Sequence, residues 1–257
     1  MRNKFVINAL GINDMDAYGV MWYGNYIKWY LNALNKWLGF DKEFALLRIK
    51  YKHPVKWGDK VSIVSIVVSK NEILQIMKKD SDEMVMNWAL FSCNLSETGF
   101  ILDKSETMLY RQLKVKSSYQ GLVSTYSSNY TVWKNNIMLD GKIDYHYLLD
   151  LFEQNRTEAI GGQDVLQRIH QENDQSILVA NLGDLKIGNT VSEGQVLRVV
   201  TKVTSHYNWM IFKFVQECWY QDKSIGSMNC ELCIYNSKLS KLEPVVDYVK
   251  SNIMSNN

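Results

Sequence analysis

The sequence predicts an α+β chain made of two similar units, and three observations predict it. An acidic loop, Asp14-Met15-Asp16-Ala17-Tyr18-Gly19, feeds an amphipathic helix. Strand-like runs follow that helix as a group, and the same order of elements then recurs in the second half. Glycines mark the repeat: Gly19 to Gly141 spans 122 positions at the helix entry, and Gly58 to Gly194 spans 136 at a later turn. The second copy is therefore longer between these points.

In order, residues 5–10 read as a first strand. The helix follows, with Ile27, Leu31, Leu34 and Leu38 on one face, Lys28, Asn32, Asn35 and Lys36 mostly on the other, and Gly39 closing it. Residues 44–55 lead into the turn Lys56-Trp57-Gly58-Asp59. Residues 60–69 are rich in β-branched side chains and predict a strand. Further strands are expected at 72–79 and 83–94, split by Asp80-Ser81-Asp82, before a turn at 95–99. In the second copy, Tyr130-Thr131-Val132-Trp133 reads as a first strand and 144–160 as a helix closed by Gly161-Gly162. An added strand is expected at 176–181, and two long ones at 208–220 and 224–235. The units are placed at 1–115 and 126–257, with 116–125 as linker.

The stretch Asp-x-Asp-x-x-Gly, followed by Trp22-Tyr23-Gly24-Asn25-Tyr26 and the amphipathic helix, resembles the 4-hydroxybenzoyl-CoA thioesterase branch of the hotdog-fold proteins. The resemblance covers about two dozen residues strongly in the first copy, and the second copy more by order than by motif. In tandem form the chain is also similar to the acyl-carrier-protein thioesterases. The resemblance implies a double hotdog, each unit a long helix wrapped by an antiparallel sheet. The two units would form an internal pseudo-dimer with sites between the halves, and homodimerisation is left open. It also implies Asp16 as the catalytic carboxylate, with backbone N–H groups near Tyr23, Gly24 and Asn25 facing the thioester oxygen.

Thioester hydrolysis needs a polarised carbonyl and either an activated water or a directly attacking carboxylate. A helix N-terminus supplies unpaired N–H groups and partial positive charge, and Asp16 could serve either route. The competing reading is that Asp14 and Asp16 only cap a turn. Trp22, Tyr26, Tyr30 and Leu31 would line an apolar acyl pocket, or else form core, and His53 is a candidate ligand contact in a strand. In the second copy Met138 takes the place of Asp16, with Asp140 out of register. Glu153, opposite Leu31, is a candidate second carboxylate, against a surface pair with Arg156. Hydrolysis of an acyl-CoA or acyl-carrier-protein thioester is the leading reading. The alternatives are an acyltransferase or dehydratase-like double hotdog, or an acyl-binding protein.

Composition narrows the classes. Hydrophobic residues make up 46% of the 257, enough for a sizeable core, and a net charge of +2 without a basic block argues against nucleic acid. No apolar run reaches membrane-spanning length, so no membrane partner is expected and a cytoplasmic location is the default. Four cysteines are no disulfide framework, and Cys230 and Cys233, three apart in a strand-like run, should face opposite ways. No metal is expected, and no cofactor beyond the coenzyme A or phosphopantetheine of the substrate.

Overall fold

A computed structural model describes residues 2–7, 10, 12–16, 19–39, 43–95, 101–115 and 121–255. The chain divides into two compact units, Met1–Lys116 and Ser117–Asn257. Among the described residues, unit 1 holds β1 (Arg2–Ile7), α1 (Tyr23–Leu38), β2 (Ala45–Tyr51), β3 (Val61–Ser69), β4 (Glu72–Lys79), β5 (Val85–Ser92) and α2 (Lys104–Lys114). Its strands lie in the order β1-β3-β4-β5-β2, every neighbouring pair antiparallel. The long helix buries Tyr26, Ile27, Tyr30, Ala33 and Leu34, so the buried face keeps Ile27 and Leu34 of the expected stripe but turns toward Tyr26 and Tyr30, leaving Leu31 and Leu38 half-buried.

The strands of unit 1 run hydrophobic with little alternation because both sheet faces are covered. On one face Gln75 of β4 reaches Tyr30 of α1. On the other, Ile66, Leu74, Ile76, Trp88 and Leu90 pack with Leu109 and Leu113 of α2. The Trp88 indole N–H donates to the Leu109 carbonyl at 3.1 Å, satisfying a buried donor. Sequence reading left α2 unassigned. Its signal was a capping box: the Asp103 carboxylate accepts the Glu106 N–H at 2.8 Å, while the Glu106 side chain accepts the Asp103 N–H at 3.0 Å.

Unit 2 holds β6 (Leu122–Thr131), α3 (Tyr145–Ile160), α4 (Gln163–Asn173), β7 (Gln175–Ile187), β8 (Val196–His206), β9 (Ile211–Tyr220), β10 (Lys223–Asn236), β11 (Lys241–Leu242) and α5 (Asp247–Met254). Its strand order, β6-β8-β9-β10-β7, repeats that of unit 1 element for element, with β11 added on β10. Strands β9 and β10 alternate buried and half-buried, placing Phe212, Phe214, Gln216 and Cys218 on the inward face.

Several sequence expectations shift. The first strand of the second copy begins at Leu122, inside the stretch assigned to a linker, of which 116–120 lie outside the described residues. Likewise 96–99 of the expected turn at 95–99 lie outside them. The added strand expected at 176–181 is longer, the 13-residue β7 running from Gln175 to Ile187. The extra length of the second copy lies there and in α4, which sequence reading missed along with α5. The strand expected from 208 starts at Ile211, because Tyr207, Asn208 and Trp209 all take left-handed backbone angles and form the turn.

Candidate functional site

The loop before α1 is closed by its own backbone. Gly19 N–H donates to the Asp16 carbonyl at 3.0 Å and Asp16 N–H to the Val20 carbonyl at 2.7 Å. Gly19 sits at φ +71, where a side chain would be strained. The loop is then stitched to the segment after β2: Met21 N–H donates to the Val55 carbonyl at 2.8 Å, and Val20 bridges Lys56. One Asp16 carboxylate oxygen accepts the Val20 N–H at 3.3 Å, so Asp16 does help cap its turn.

Asp14 has a different task. It is buried, its carboxylate accepts from Lys28 Nζ at 3.4 Å, and its carbonyl takes the Trp22 N–H at 3.0 Å. Asn25 donates its side-chain amide to the Asp14 carbonyl at 3.1 Å and the Asn13 carbonyl at 3.5 Å. Its side chain therefore ties the loop to the helix.

At the helix start, Trp22 is the N-cap residue and forms no side-chain cap bond. Its indole lies against Gly24: a Cβ built there would fall 2.0 Å from the ring, so only glycine fits without displacing Trp22. Asn25 N–H bends back to the Trp22 carbonyl at 2.9 Å. Tyr23 is buried and its carbonyl accepts the Tyr51 hydroxyl at 3.1 Å. Tyr26 accepts the Val55 N–H at 2.9 Å; burial, with the nearby charges of Asp16 and Asp59 adding, pushes its hydroxyl up to about 12.

The expected pocket residues do not share one environment. Tyr30 is wholly enclosed, its hydroxyl donating to Asn87, so it is core; Tyr26 is nearly as buried. Trp22 and Leu31 are half-buried. His53 stands in a bend just after β2 rather than in a strand, its N–H on the Met86 carbonyl at 2.9 Å. A cavity of about 900 Å³ runs along α2, lined by Leu102, Met108, Arg111 and Val115 among others, and takes no residue from the Asp16 loop.

Unit 2 repeats this backbone with different chemistry. Gly141 N–H donates to the Met138 carbonyl at 2.9 Å, and Met138 N–H to the Lys142 carbonyl at 2.8 Å, matching the Gly19–Asp16 and Asp16–Val20 pairs. Met138 does occupy the Asp16 position. The Lys142 N–H is taken by Asp140 at 3.0 Å, so the turn keeps a carboxylate cap from a different residue. The start of α3 is plugged by its own N-cap: one Asp144 carboxylate oxygen accepts the N–H groups of His146 at 2.8 Å and Tyr147 at 3.2 Å.

Further along α3 Arg156 is buried rather than at the surface, and it donates to Gln216 Oε1 at 2.6 Å. Glu153, half-buried, faces Asp150 one turn away. Burial, then the charges of Glu153 and Asp144, raise the Asp150 carboxyl to about 6. A folded-state value above the unfolded one favours the folded state below the unfolded pKa, and that gain is lost as pH rises through 6. Asp150→Asn is thus expected to match the parent in thermal midpoint under acid conditions and to exceed it above neutrality. Asp150 reaches solvent, which keeps the gain small. A variant midpoint at or below the parent's on the alkaline side would refute the assignment.

Cys230 is buried on the inward face of β10 and Cys233 half-buried on the other, as their spacing requires. Burial raises both thiols, Cys230 to about 11. Among the described residues no group of three His, Cys, Asp or Glu side chains could hold a metal.

Two units of the same strand order, each with a long helix on its antiparallel sheet, make this chain a double hotdog. Over 96% of its length the chain is similar in structure to a protein assigned as an oleoyl thioesterase from Lactobacillus plantarum, of which 98% is covered, with a TM-score of 0.61 at 10% identity. The 12:0-ACP thioesterase from Umbellularia californica matches with a TM-score of 0.56 at 12% identity, over 90% of this chain and 93% of that one. An acyl-ACP thioesterase from Bacteroides thetaiotaomicron gives a TM-score of 0.56 at 12% identity, over 90% and 97%. No protein-family model and no curated protein matches the sequence.

Proposed function

We propose that this chain hydrolyses acyl thioesters at the loop–helix junction of its first unit. Asp16 draws a proton from water, the resulting hydroxide attacks the thioester carbon, and the departing thiolate is protonated as the acid is released. In the alternative route Asp16 attacks directly and water resolves the mixed anhydride. In either case the N–H groups of the first turn of α1, at Tyr23 and Gly24, stabilise charge developing on the carbonyl oxygen.

One contrast carries this reading. The same loop hydrogen bonds occur twice, but only the first copy has a carboxylate three residues before the glycine, and its N-cap residue, Trp22, makes no side-chain cap bond of the kind Asp144 makes. In the second copy a methionine stands at that position, and Asp144 occupies the helix N–H groups that a thioester oxygen would need. The similarity in fold to acyl-ACP thioesterases supports an acyl thioester as substrate, with coenzyme A or a carrier protein as the thiol.

Thiol release from a panel of acyl-CoA and acyl-carrier-protein thioesters tests the proposal. The expected result is turnover that saturates with one of the two carriers and depends on acyl length. Product that accumulates only when an acyl acceptor is added would indicate transfer instead. Tight acyl retention with no thiol release would indicate a binding protein.

A further inference from the structure

The turn that replaces the Asp16 loop in unit 2 carries apolar side chains outward. Leu139 is fully exposed at 110%, Trp133 at 61% and Met138, in the Asp16 position, at 45%. The backbone beneath them is fixed. Asn136 N–H donates to the Trp133 carbonyl at 2.9 Å, Gly141 N–H to the Met138 carbonyl at 2.9 Å, and Val191 N–H to the Gly141 carbonyl at 2.8 Å. Ile137 and Ile143 bridge across the base. The backbone that carries these exposed side chains is therefore itself hydrogen-bonded. Two lysines flank the tip: Lys134 is exposed, and Lys142 pairs with Asp140 at 3.6 Å.

We propose that this loop is a membrane-surface anchor, inserting Leu139, Met138 and Trp133 into the interfacial layer of a lipid bilayer while the exposed Lys134 meets anionic headgroups. A turn tip presenting three apolar side chains falls far short of the roughly 800 Å² per partner that a stable protein interface buries. Shallow insertion needs only a few side chains entering the headgroup boundary, and tryptophan beside lysine suits that boundary. No described helix is long and apolar enough to cross a membrane. Surface insertion requires no crossing. The anchor is independent of Asp16, and it would hold the protein where long-chain acyl groups partition.

Flotation of the full chain with vesicles tests this, using phosphatidylcholine alone and phosphatidylcholine mixed with phosphatidylglycerol. The wild type is expected to float with the mixed vesicles, less so at high salt. Leu139→Asp should lower the bound fraction by about tenfold or more, as expected for losing one inserted leucine. Trp133→Ser should weaken binding as well. Leu139 is solvated, so Leu139→Asp should keep the parent's thermal midpoint, which separates lost anchoring from misfolding. Wild type that floats with neither vesicle overturns the proposal, as does flotation unchanged in both variants. A soluble protein retained by the wild type and released by Leu139→Asp, without vesicle binding, would assign the tip to a protein partner instead.

Discussion

Asp16→Asn is expected to lower thioester turnover by about 10²–10⁴-fold, the usual contribution of a positioned general base or nucleophile. The effect should fall on kcat, with KM little changed. Asparagine keeps the volume of aspartate, and its amide oxygen can still accept the Val20 N–H, so the turn closed by Gly19 and Val20 should persist. What it loses is the negative charge and the capacity to take a proton. Single-turnover measurement of thiol release, with binding of a non-hydrolysable acyl thioester followed in parallel, separates the two effects. Activity retained within a few-fold would remove Asp16 from the mechanism and leave it as a turn cap. Glu153 would then be the next carboxylate to replace.

Gln216→Leu should be the most destabilising of the conservative substitutions considered. Gln216, fully buried on β9, donates to the Phe152 carbonyl and the Thr201 hydroxyl, both at 2.8 Å, and accepts from Arg156 at 2.6 Å. Leucine fills the space but removes three bonds at once, one of them to a buried guanidinium. A loss of about 3–5 kcal/mol follows. The first unit contains the control: Gln75 donates to the Tyr30 carbonyl at 3.3 Å and the Ser65 hydroxyl at 2.9 Å, the same arrangement one repeat earlier. There Leu34 stands where Arg156 would, and Gln75 Oε1 is buried without a partner. Gln75→Leu should therefore cost only about 1–2 kcal/mol. Urea unfolding of both variants decides it, and equal losses would mean that the Arg156 bond adds nothing.

Both paired networks were partly legible beforehand. Residues two apart on a strand share a face, so Phe212, Phe214 and Cys218 carried a signal for an inward Gln216 that the strand expected at 208–220 did not use. What spacing could not convey was the partner. Glu153 and Arg156, three apart on a helix, suit a surface ion pair, yet the sheet covers Arg156 and turns it toward Gln216. The same limit affected Tyr30. Its place in an aromatic stripe suited a ligand wall, and only packing against the sheet made it core. For α2 the signal was local, because Asp103, Glu106, Leu109 and Leu113 carry a cap and an apolar spacing.

Residue order was enough to read the repeat, the long helices and their closing glycines, the strand-rich remainder, and the loss of the Asp16 carboxylate at Met138. These are local properties, fixed by side-chain periodicity and by which residues tolerate a turn. The tertiary structure alone decided the strand order shared by the two units and the enclosure of Tyr30 and Arg156. It also decided that the helix start of α3 is sealed by Asp144, while the N-cap residue of α1, Trp22, makes no side-chain cap bond. Each of those depends on which distant segments meet, or on whether a side chain turns back onto its own backbone. Hydrogen bonding and burial settle such choices after the chain has packed.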